Sequence, residues 1–389
     1  MLQLPVYLDN NSTTQCDPRV VEAMLPFFSE HYGNAASTTH SYGWVAAEAV
    51  DVARSQIATL INAHPTEIVF TSGATESDNL ALKGVYENYT SKGNHIITVN
   101  TEHKAVLDSC KHIEKLGGSI TYLNVNSDGR IDVDELEKSI QPNTILIAVM
   151  YANNETGVVQ PIKEISAIAK KHNILFFCDA VQAAGKIKVD VIDDGIDMLA
   201  LSAHKLYGPK GVGALYVRRK DPRVKIIAQT DGGGHEKNMR SGTLNVPAIV
   251  GFGKACEICL HEMEAEASRL SILRNKLENS FINNLDASVN GSSTFRLPHV
   301  TNLSFKNITA NNLIMRINNK VAVSSGSACT SALPEPSYVL QAMSLEDQLA
   351  NASLRFAAGR FTTEDQIDFA IQEITAAVKK MRSEAEVFN

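Results

Sequence analysis

From about Val20 to Met198 short apolar runs alternate with amphipathic segments, and this alternation restricts the fold more than any other feature of the chain. The runs "EIVFT" (67–71), "HIITVN" (95–100), "ITYLNV" (120–125), "ILIAVM" (145–150) and "ILFFCDA" (174–180) read as buried strands. Between them, "ESDNLALKGVYENY", "KAVLDSCKHIEKL" and "IKEISAIAKKH" carry apolar residues at helical spacing. Buried strands separated by helices require a mostly parallel sheet covered on both faces. A second phase begins near Val246, where "GFGKACEICLHEMEAEASRLSILRNKLENSFINNL" predicts one long helix or two. Strands "HVTNLSFK" and "NNKVAVSS" and a closing helix "EDQIDFAIQEITAAVKKMRSEA" follow, so a smaller α+β unit is expected. At 389 residues the chain exceeds what one hydrophobic core usually supports. We expect a large domain over 16–250 and a small domain built from 1–15 and 251–389.

Composition removes several classes of function. A net charge of -7 gives no support for direct nucleic-acid binding. The longest apolar run, around Ile145 to Ala152, is too short to span a bilayer, so no membrane role is expected. The start "MLQLPVYLDNNSTT" has no basic region and no sustained apolar stretch, and no signal peptide is expected. Cys16, Cys110, Cys178, Cys256, Cys259 and Cys329 are widely scattered. That pattern fits a reducing compartment, the cytoplasm, better than a disulfide framework. Cys256 and Cys259 share a C-x-x-C spacing inside a helical pattern with no second pair nearby, so helix packing is expected there rather than a metal or redox site.

In open α/β sheets, ligands collect at the carboxyl ends of strands. After "EIVFT" comes "SGATESDN", where Gly73 permits a tight turn and Ala74, Thr75 and Glu76 open a helix. Backbone N–H groups and the helix dipole make such a turn an anion site, although such a motif alone is more often just a capped helix start. "TEHKAVLDS" puts His103 at a strand-to-helix turn, where a surface histidine is also ordinary. "NNETG" puts Asn153 and Asn154 in a turn that turn chemistry alone would explain. Asp179 ends an apolar strand, where a carboxylate needs either a capping role or a cationic partner. Ser202, His204 and Lys205 precede a turn whose glycines, 208, 211 and 213, do not match a dinucleotide fingerprint. A lysine in a low-dielectric site has its ammonium form disfavoured and becomes a nucleophilic amine. An anion cup, an aromatic ring, a carboxylate and a lysine on the strand ends of one domain match the needs of pyridoxal phosphate: donors for the phosphate, an amine for the aldehyde, an acid partner for the ring nitrogen.

With these motifs in place, the chain resembles cysteine desulfurases of the IscS/NifS type, fold-type I pyridoxal-phosphate enzymes of the class-V aminotransferase family. The likeness runs from "YLDNNSTT" through "TSGATESDN", "TEHKAVLD", "NNETGVVQ", "CDAVQAAGK", "SAHKLYGPKG" and "GGGHEKNMRSGT" to "SSGSACTSALPEPSYVL" and "SLRFAAGRFTTEDQID". It implies a seven-stranded sheet in the large domain. It also implies Lys205 as the Schiff-base lysine, Asp179 as partner of the ring nitrogen, His103 stacked on the ring and assisting proton transfer, and Gln182 at the phenolic oxygen. Ala74, Thr75, Ser202 and His204 would hold the phosphate. Thr243 would reach the phosphate bound by a neighbouring subunit, so the resemblance implies a homodimer. Asn154, beside the cofactor, and Arg355 would meet the substrate carboxylate, with Asn34 a further substrate contact; Ala35 stands where many relatives have proline.

The stretch "SSGSACTSALPEPS" then has a chemical reason. Small residues make a solvated, adaptable loop, and the resemblance makes Cys329 its nucleophile. It would take sulfur from L-cysteine, release L-alanine and hold a persulfide. Sulfur would pass to an acceptor such as an iron–sulfur scaffold protein or a tRNA-thiolation enzyme. No metal site is expected, apart from an iron–sulfur cluster shared transiently with a scaffold through Cys329. Selenocysteine lyase or another class-V pyridoxal-phosphate activity is the alternative.

Overall fold

The computed structural model describes residues 2–325 and 336–387, so Cys329 lies outside the described residues. Among the described residues twelve strands form three sheets. The short strand β1 (Val6–Tyr7) pairs in parallel with β11 (Val321–Ala322). The largest sheet holds β2 (Ile68–Thr71), β3 (His95–Val99), β4 (Ser119–Leu123), β5 (Thr144–Ala148), β6 (Leu175–Asp179), β7 (Met198–Ser202) and β8 (Gly213–Val217). Its order is β2-β8-β7-β6-β5-β3-β4, and β8 alone runs against its neighbours. This is the mostly parallel, seven-stranded α/β arrangement that the sequence predicts.

Side-chain alternation along these strands divides the interior in two. Phe176, Cys178, Leu199 and Leu201 join one core with the helices Ser41–Leu60 and Ile162–Lys171. Phe177, Leu175, Met198 and Ala200 join the opposite core with the helices Ala74–Tyr89 and Lys104–Lys115. Every residue of β6, β7 and β8 is buried, as a sheet covered on both faces demands.

The stretch from Val246 forms one 40-residue helix, Val246–Leu285, rather than two. At 1.5 Å per residue it is about 60 Å long, enough to serve two cores. Its first part, including Cys256 and Cys259, packs into the large core. Its last part, Leu270 to Leu285, packs into a separate core. That second core also takes residues of β9 (Ala287–Val289), β10 (Val300–Phe305), β12 (Ser353–Ala357) and the helix Glu364–Val387. These three strands form an antiparallel sheet in the order β12-β10-β9. The segment "NNKVAVSS" contributes only the two residues of β11, because its pairing with β1 is limited to Val6↔Val321 and Tyr7↔Ala322. No helix among the described residues is long and apolar enough to cross a membrane. Five cysteines, Cys16, Cys110, Cys178, Cys256 and Cys259, are free thiols.

Phe281 anchors the second core, with its ring centroid 5.6 Å from those of Phe305 and Phe356. Replacing it with alanine deletes a fully buried aromatic ring, and we expect a loss of about 3–5 kcal/mol in urea unfolding followed by circular dichroism. A loss no greater than that of a surface substitution, about 0.5 kcal/mol, would contradict this packing.

Candidate active site

At the carboxyl edge of the large sheet the turns after β2, β3, β6 and β7 surround a cavity of about 640 Å³. The turn after β2 supplies Ser72–Glu76. Gly73 precedes the first residue of the helix Ala74–Tyr89 with φ 155°, a conformation in which an L side chain is strained. Behind it, a Cβ on Gly213 would lie 2.7 Å from Gly73 Cα, so β8 must begin with a glycine for the turn to sit there. With no side-chain cap at Gly73, the first N–H groups of the helix are left for a ligand. Glu76, which would oppose an anion, is held by Arg240 at 2.6 and 3.2 Å and by the Ser72 N–H at 2.6 Å.

His103 caps the next helix, its Nδ1 accepting the Ala105 N–H at 3.2 Å. Asp179 ends β6 and is 7% exposed, and among the described residues its carboxylate accepts the Val181 N–H at 2.9 Å. Burial raises its pKa, against the pull of that N–H, His103 and Lys205. Gln182 Nε2 donates to the Asn11 carbonyl at 3.1 Å. Ser202 is buried at the end of β7, and His204 Nδ1 lies 3.1 Å from Thr13 Oγ1. Burial first, then the charges of Lys205 and Lys210, push the His204 imidazole down to about 4, so it is neutral at pH 7. Lys205 donates to the carbonyls of Asn11 at 2.5 Å and Ser12 at 2.7 Å. Burial, helped by the nearby Arg355 cation, pushes its pKa down to about 8.

Arg355 reaches the same cavity from β12, the small sheet's edge strand. It is 5% exposed and paired with Asp9 at 2.7 Å, Ser12 Oγ at 2.6 Å and the Asn154 carbonyl at 3.0 Å. Asn154 Oδ1 is buried and has no hydrogen-bond partner among the described residues.

Thus Ala74, Thr75, His103, Asn154, Asp179, Gln182, Ser202, His204, Lys205 and Arg355, singled out in the sequence, line one cavity. Asn34 and Thr243 do not line it; both are exposed, and Asn34 Oδ1 accepts the Ala36 N–H. The chain on either side of the segment holding Cys329 touches residues of this region. Ser324 accepts the Arg355 N–H at 2.7 Å, and the Tyr338 hydroxyl donates to the Glu102 carbonyl at 2.7 Å. Sequence reasoning assigned no role to Asn11, Ser12 and Thr13, which also line the cavity. Their signal was a polar run, "DNNSTT", directly after a strand. It also passed over Asp78 and Glu102, two buried carboxyls behind Asp179.

Residues 6–369 match the family model described as Aminotransferase class-V. The cysteine desulfurase IscS of Anaeromyxobacter sp. (strain Fw109-5) is 54% identical over 388 residues, covering 100% of this chain and 96% of that protein. The cysteine desulfurase IscS of Klebsiella pneumoniae subsp. pneumoniae is 51% identical over 383 residues, covering 98% and 94%. Among solved structures, a NifS-like protein superposes with a TM-score of 0.90 at 37% identity, covering 97% of this chain and 100% of that one. A structure of SspA in complex with cysteine gives a TM-score of 0.81 at 36% identity, covering 92% and 99%.

The depressed pKa of Lys205 has a direct readout. In the ligand-free protein its labelling by an amine-directed reagent should rise with pH and level off above about 8, whereas bulk lysines keep gaining reactivity to beyond pH 10. Between about 8 and the ordinary lysine value the unfolded chain binds the extra proton, so this group's contribution to stability improves as pH rises through that window. A Lys205 labelling curve that follows the bulk lysines, read by peptide mass spectrometry, would refute the burial argument.

Proposed function

The chain belongs to the class-V aminotransferase family, and from that membership we propose that it is a cysteine desulfurase, a pyridoxal-phosphate enzyme taking sulfur from L-cysteine and releasing L-alanine. The observation that carries the proposal is the meeting, in one cavity, of an amine of lowered pKa, a buried carboxylate with spare acceptor capacity, an uncapped helix start and an arginine.

The residues present fit the cofactor. Ala74 and Thr75 at the uncapped helix start, with Ser202 and neutral His204, are donors suited to the phosphate. The Asp179 carboxylate accepts only the Val181 N–H from the described residues and has lone pairs left for a protonated ring nitrogen. Gln182 and His103 flank that position, one as an amide for the phenolic oxygen and the other as a ring to stack. The bound cofactor supplies an electron-withdrawing ring that makes the substrate Cα proton removable.

The chain's own groups do the rest. With a pKa near 8, roughly a tenth of Lys205 is free amine at pH 7, against well under a thousandth for an ordinary lysine. Lys205 Nζ would hold the cofactor through its aldehyde and would serve as a base beside the substrate, with His103 assisting proton transfer in the same cavity. Arg355 and Asn154 receive the substrate carboxylate, the guanidinium through paired N–H donors and Asn154 through its amide nitrogen, the donor of that side chain. Cys329 then attacks the substrate sulfur as a thiolate. The S–S bond forms as the C–S bond breaks, the bonding electrons stay with the carbon fragment, and that fragment is protonated and leaves as alanine.

We assign the chain to a homodimer in the cytoplasm. Leu25, Phe28, Tyr32, Tyr42, Trp44 and Val52 are large exposed apolar residues on neighbouring segments, the kind of surface a second copy covers. Thr243 and Asn34, exposed and outside the chain's own cavity, then serve the partner's site. Persulfide sulfur passes to an iron–sulfur scaffold protein or a tRNA-thiolation enzyme.

Incubating the cofactor-loaded protein with L-cysteine should release alanine and leave a persulfide that mass spectrometry maps to Cys329; Cys329→Ala should abolish both. Arg355→Lys removes a hydrogen bond to a charged group, about 1.5–3 kcal/mol, so kcat/KM for cysteine should fall roughly 10- to 150-fold. Absence of alanine from loaded protein, with selenocysteine accepted in its place, would move the assignment to a selenocysteine lyase.

A further inference from the structure

His299 lies just before β10, is 1% exposed, and has no part in the chemistry above. Its Nε2 lies 2.8 Å from Asn11 Oδ1, and its Nδ1 has no hydrogen-bond partner among the described residues. Asn11 settles the direction of that bond. Its amide nitrogen donates to the Asn154 carbonyl at 2.9 Å, an atom that can only accept, so its oxygen faces the histidine and accepts from it. His299 is therefore the neutral tautomer with the proton on Nε2. A second ring proton would be buried without an acceptor, and Lys186, Arg274 and Arg355 all oppose positive charge there.

Asn11 is a junction. Its backbone carbonyl accepts both Lys205 Nζ at 2.5 Å and Gln182 Nε2 at 3.1 Å. Its side chain holds the Asn154 carbonyl, which also accepts Arg355 Nη1 at 3.0 Å. Asn11 sits in a turn, outside any helix or strand, where the Ser12 N–H on the Asp9 carbonyl at 3.0 Å holds one side of its peptide and the side-chain pair with His299 holds the other. The histidine anchors that turn to β10, whose register with β12 brings Val300 opposite Ala357 and Asn302 opposite Arg355.

We propose that the buried His299–Asn11 pair is a positioning element that keeps Lys205 in register with Arg355, the amine that attaches the cofactor against the guanidinium that receives the substrate carboxylate. The inference rests on the function proposed above. One junction residue then sets the distance between the two ends of the reacting assembly, from a position that touches neither cofactor nor substrate through its histidine.

The test compares His299→Ala, His299→Gln and Asn11→Ala with the unmodified protein in its cofactor-loaded form. Loss of one hydrogen bond should raise KM for L-cysteine about three- to tenfold in His299→Ala and in Asn11→Ala. His299→Gln, which keeps an N–H donor, should recover most of that loss. Lys205 labelling in the ligand-free variants is read alongside, because it needs neither cofactor nor turnover. With its carbonyl acceptor misaligned, and Arg355, Asp9 and Asp179 still facing it, the ammonium form is less supported and the midpoint should fall below about 8. An unchanged KM and an unchanged midpoint in His299→Ala would overturn the proposal. So would a His299→Gln protein as impaired as His299→Ala, since that marks lost packing rather than a lost bond. If His299→Ala does not fold, the other two variants decide in the same way. Failure of the unmodified protein to bind pyridoxal phosphate or release alanine would remove the desulfurase reading, and the labelling midpoints would still judge the pair.

Discussion

A sheet buried on both faces leaves a chain few places for polar chemistry. In this protein β6, β7 and β8 are buried along their whole length, with Phe176 facing one core and Phe177 the other. Polar side chains at mid-strand would be desolvated without partners. At the carboxyl ends the backbone turns outward, helix starts offer free N–H groups, and a carboxylate or amine can be half withdrawn from water. Asp179, Ser202 and Lys205 all occupy such ends. The perturbed protonation of Asp179 and Lys205 follows from the same burial that stabilises the sheet.

Charge compensation makes this edge usable. Glu76 would repel a phosphate, but Arg240 neutralises it; His204 stays uncharged through burial. Arg355 would be an uncompensated buried cation without Asp9, whose carboxylate accepts from its Nη2 at 2.7 Å. On the proposed function, a substrate carboxylate would share or replace that contact, which favours ligands able to bind the guanidinium through two oxygens. Behind Asp179, burial and mutual repulsion push Asp78 and Glu102 well above the usual carboxylate range. Neither oxygen of Asp78 has a hydrogen-bond partner among the described residues, which fits a neutral acid and not an anion. The negative charge of the trio then rests on Asp179, the member that His103, Lys205 and the Val181 N–H can stabilise.

Most of the large sheet was legible because its strands are continuous apolar runs between amphipathic helices, and the turn residues after them carried the cavity's chemistry. What escaped were elements whose pattern is not apolar. Strand β12, "SLRFA", is buried at all five positions yet includes Ser353 and Arg355, so no run of apolar residues announced it. Asn11 drew no assignment because its importance lies in a carbonyl and in partners more than 140 residues away. Asp78 and Glu102 sit within helical and turn patterns that read normally with a surface carboxylate at those positions; only the packing reveals them as buried. Long-range pairing of polar atoms leaves no periodic trace in a sequence.

The placement of Arg355 on the small sheet also explains why one helix had to pass through both cores. Val246–Leu285 buries Cys256 and Cys259 in the large core and Leu277 and Phe281 in the small one, so the two cores share a rigid axis. Near its middle Glu266 meets Arg360, just beyond β12, at 2.8 Å, and Arg360 continues to Asp17 at 2.8 Å. Tyr207, two residues past Lys205, lies between the Arg360 guanidinium at 4.3 Å and the Lys186 ammonium at 3.8 Å. Because these groups are buried and charged, displacing one sheet against the other would leave a charge without its partner, a change costing several kcal/mol. The end of the large sheet and the edge of the small one are thereby held at a fixed separation. Lys205 and Arg355 each inherit their place from that joint.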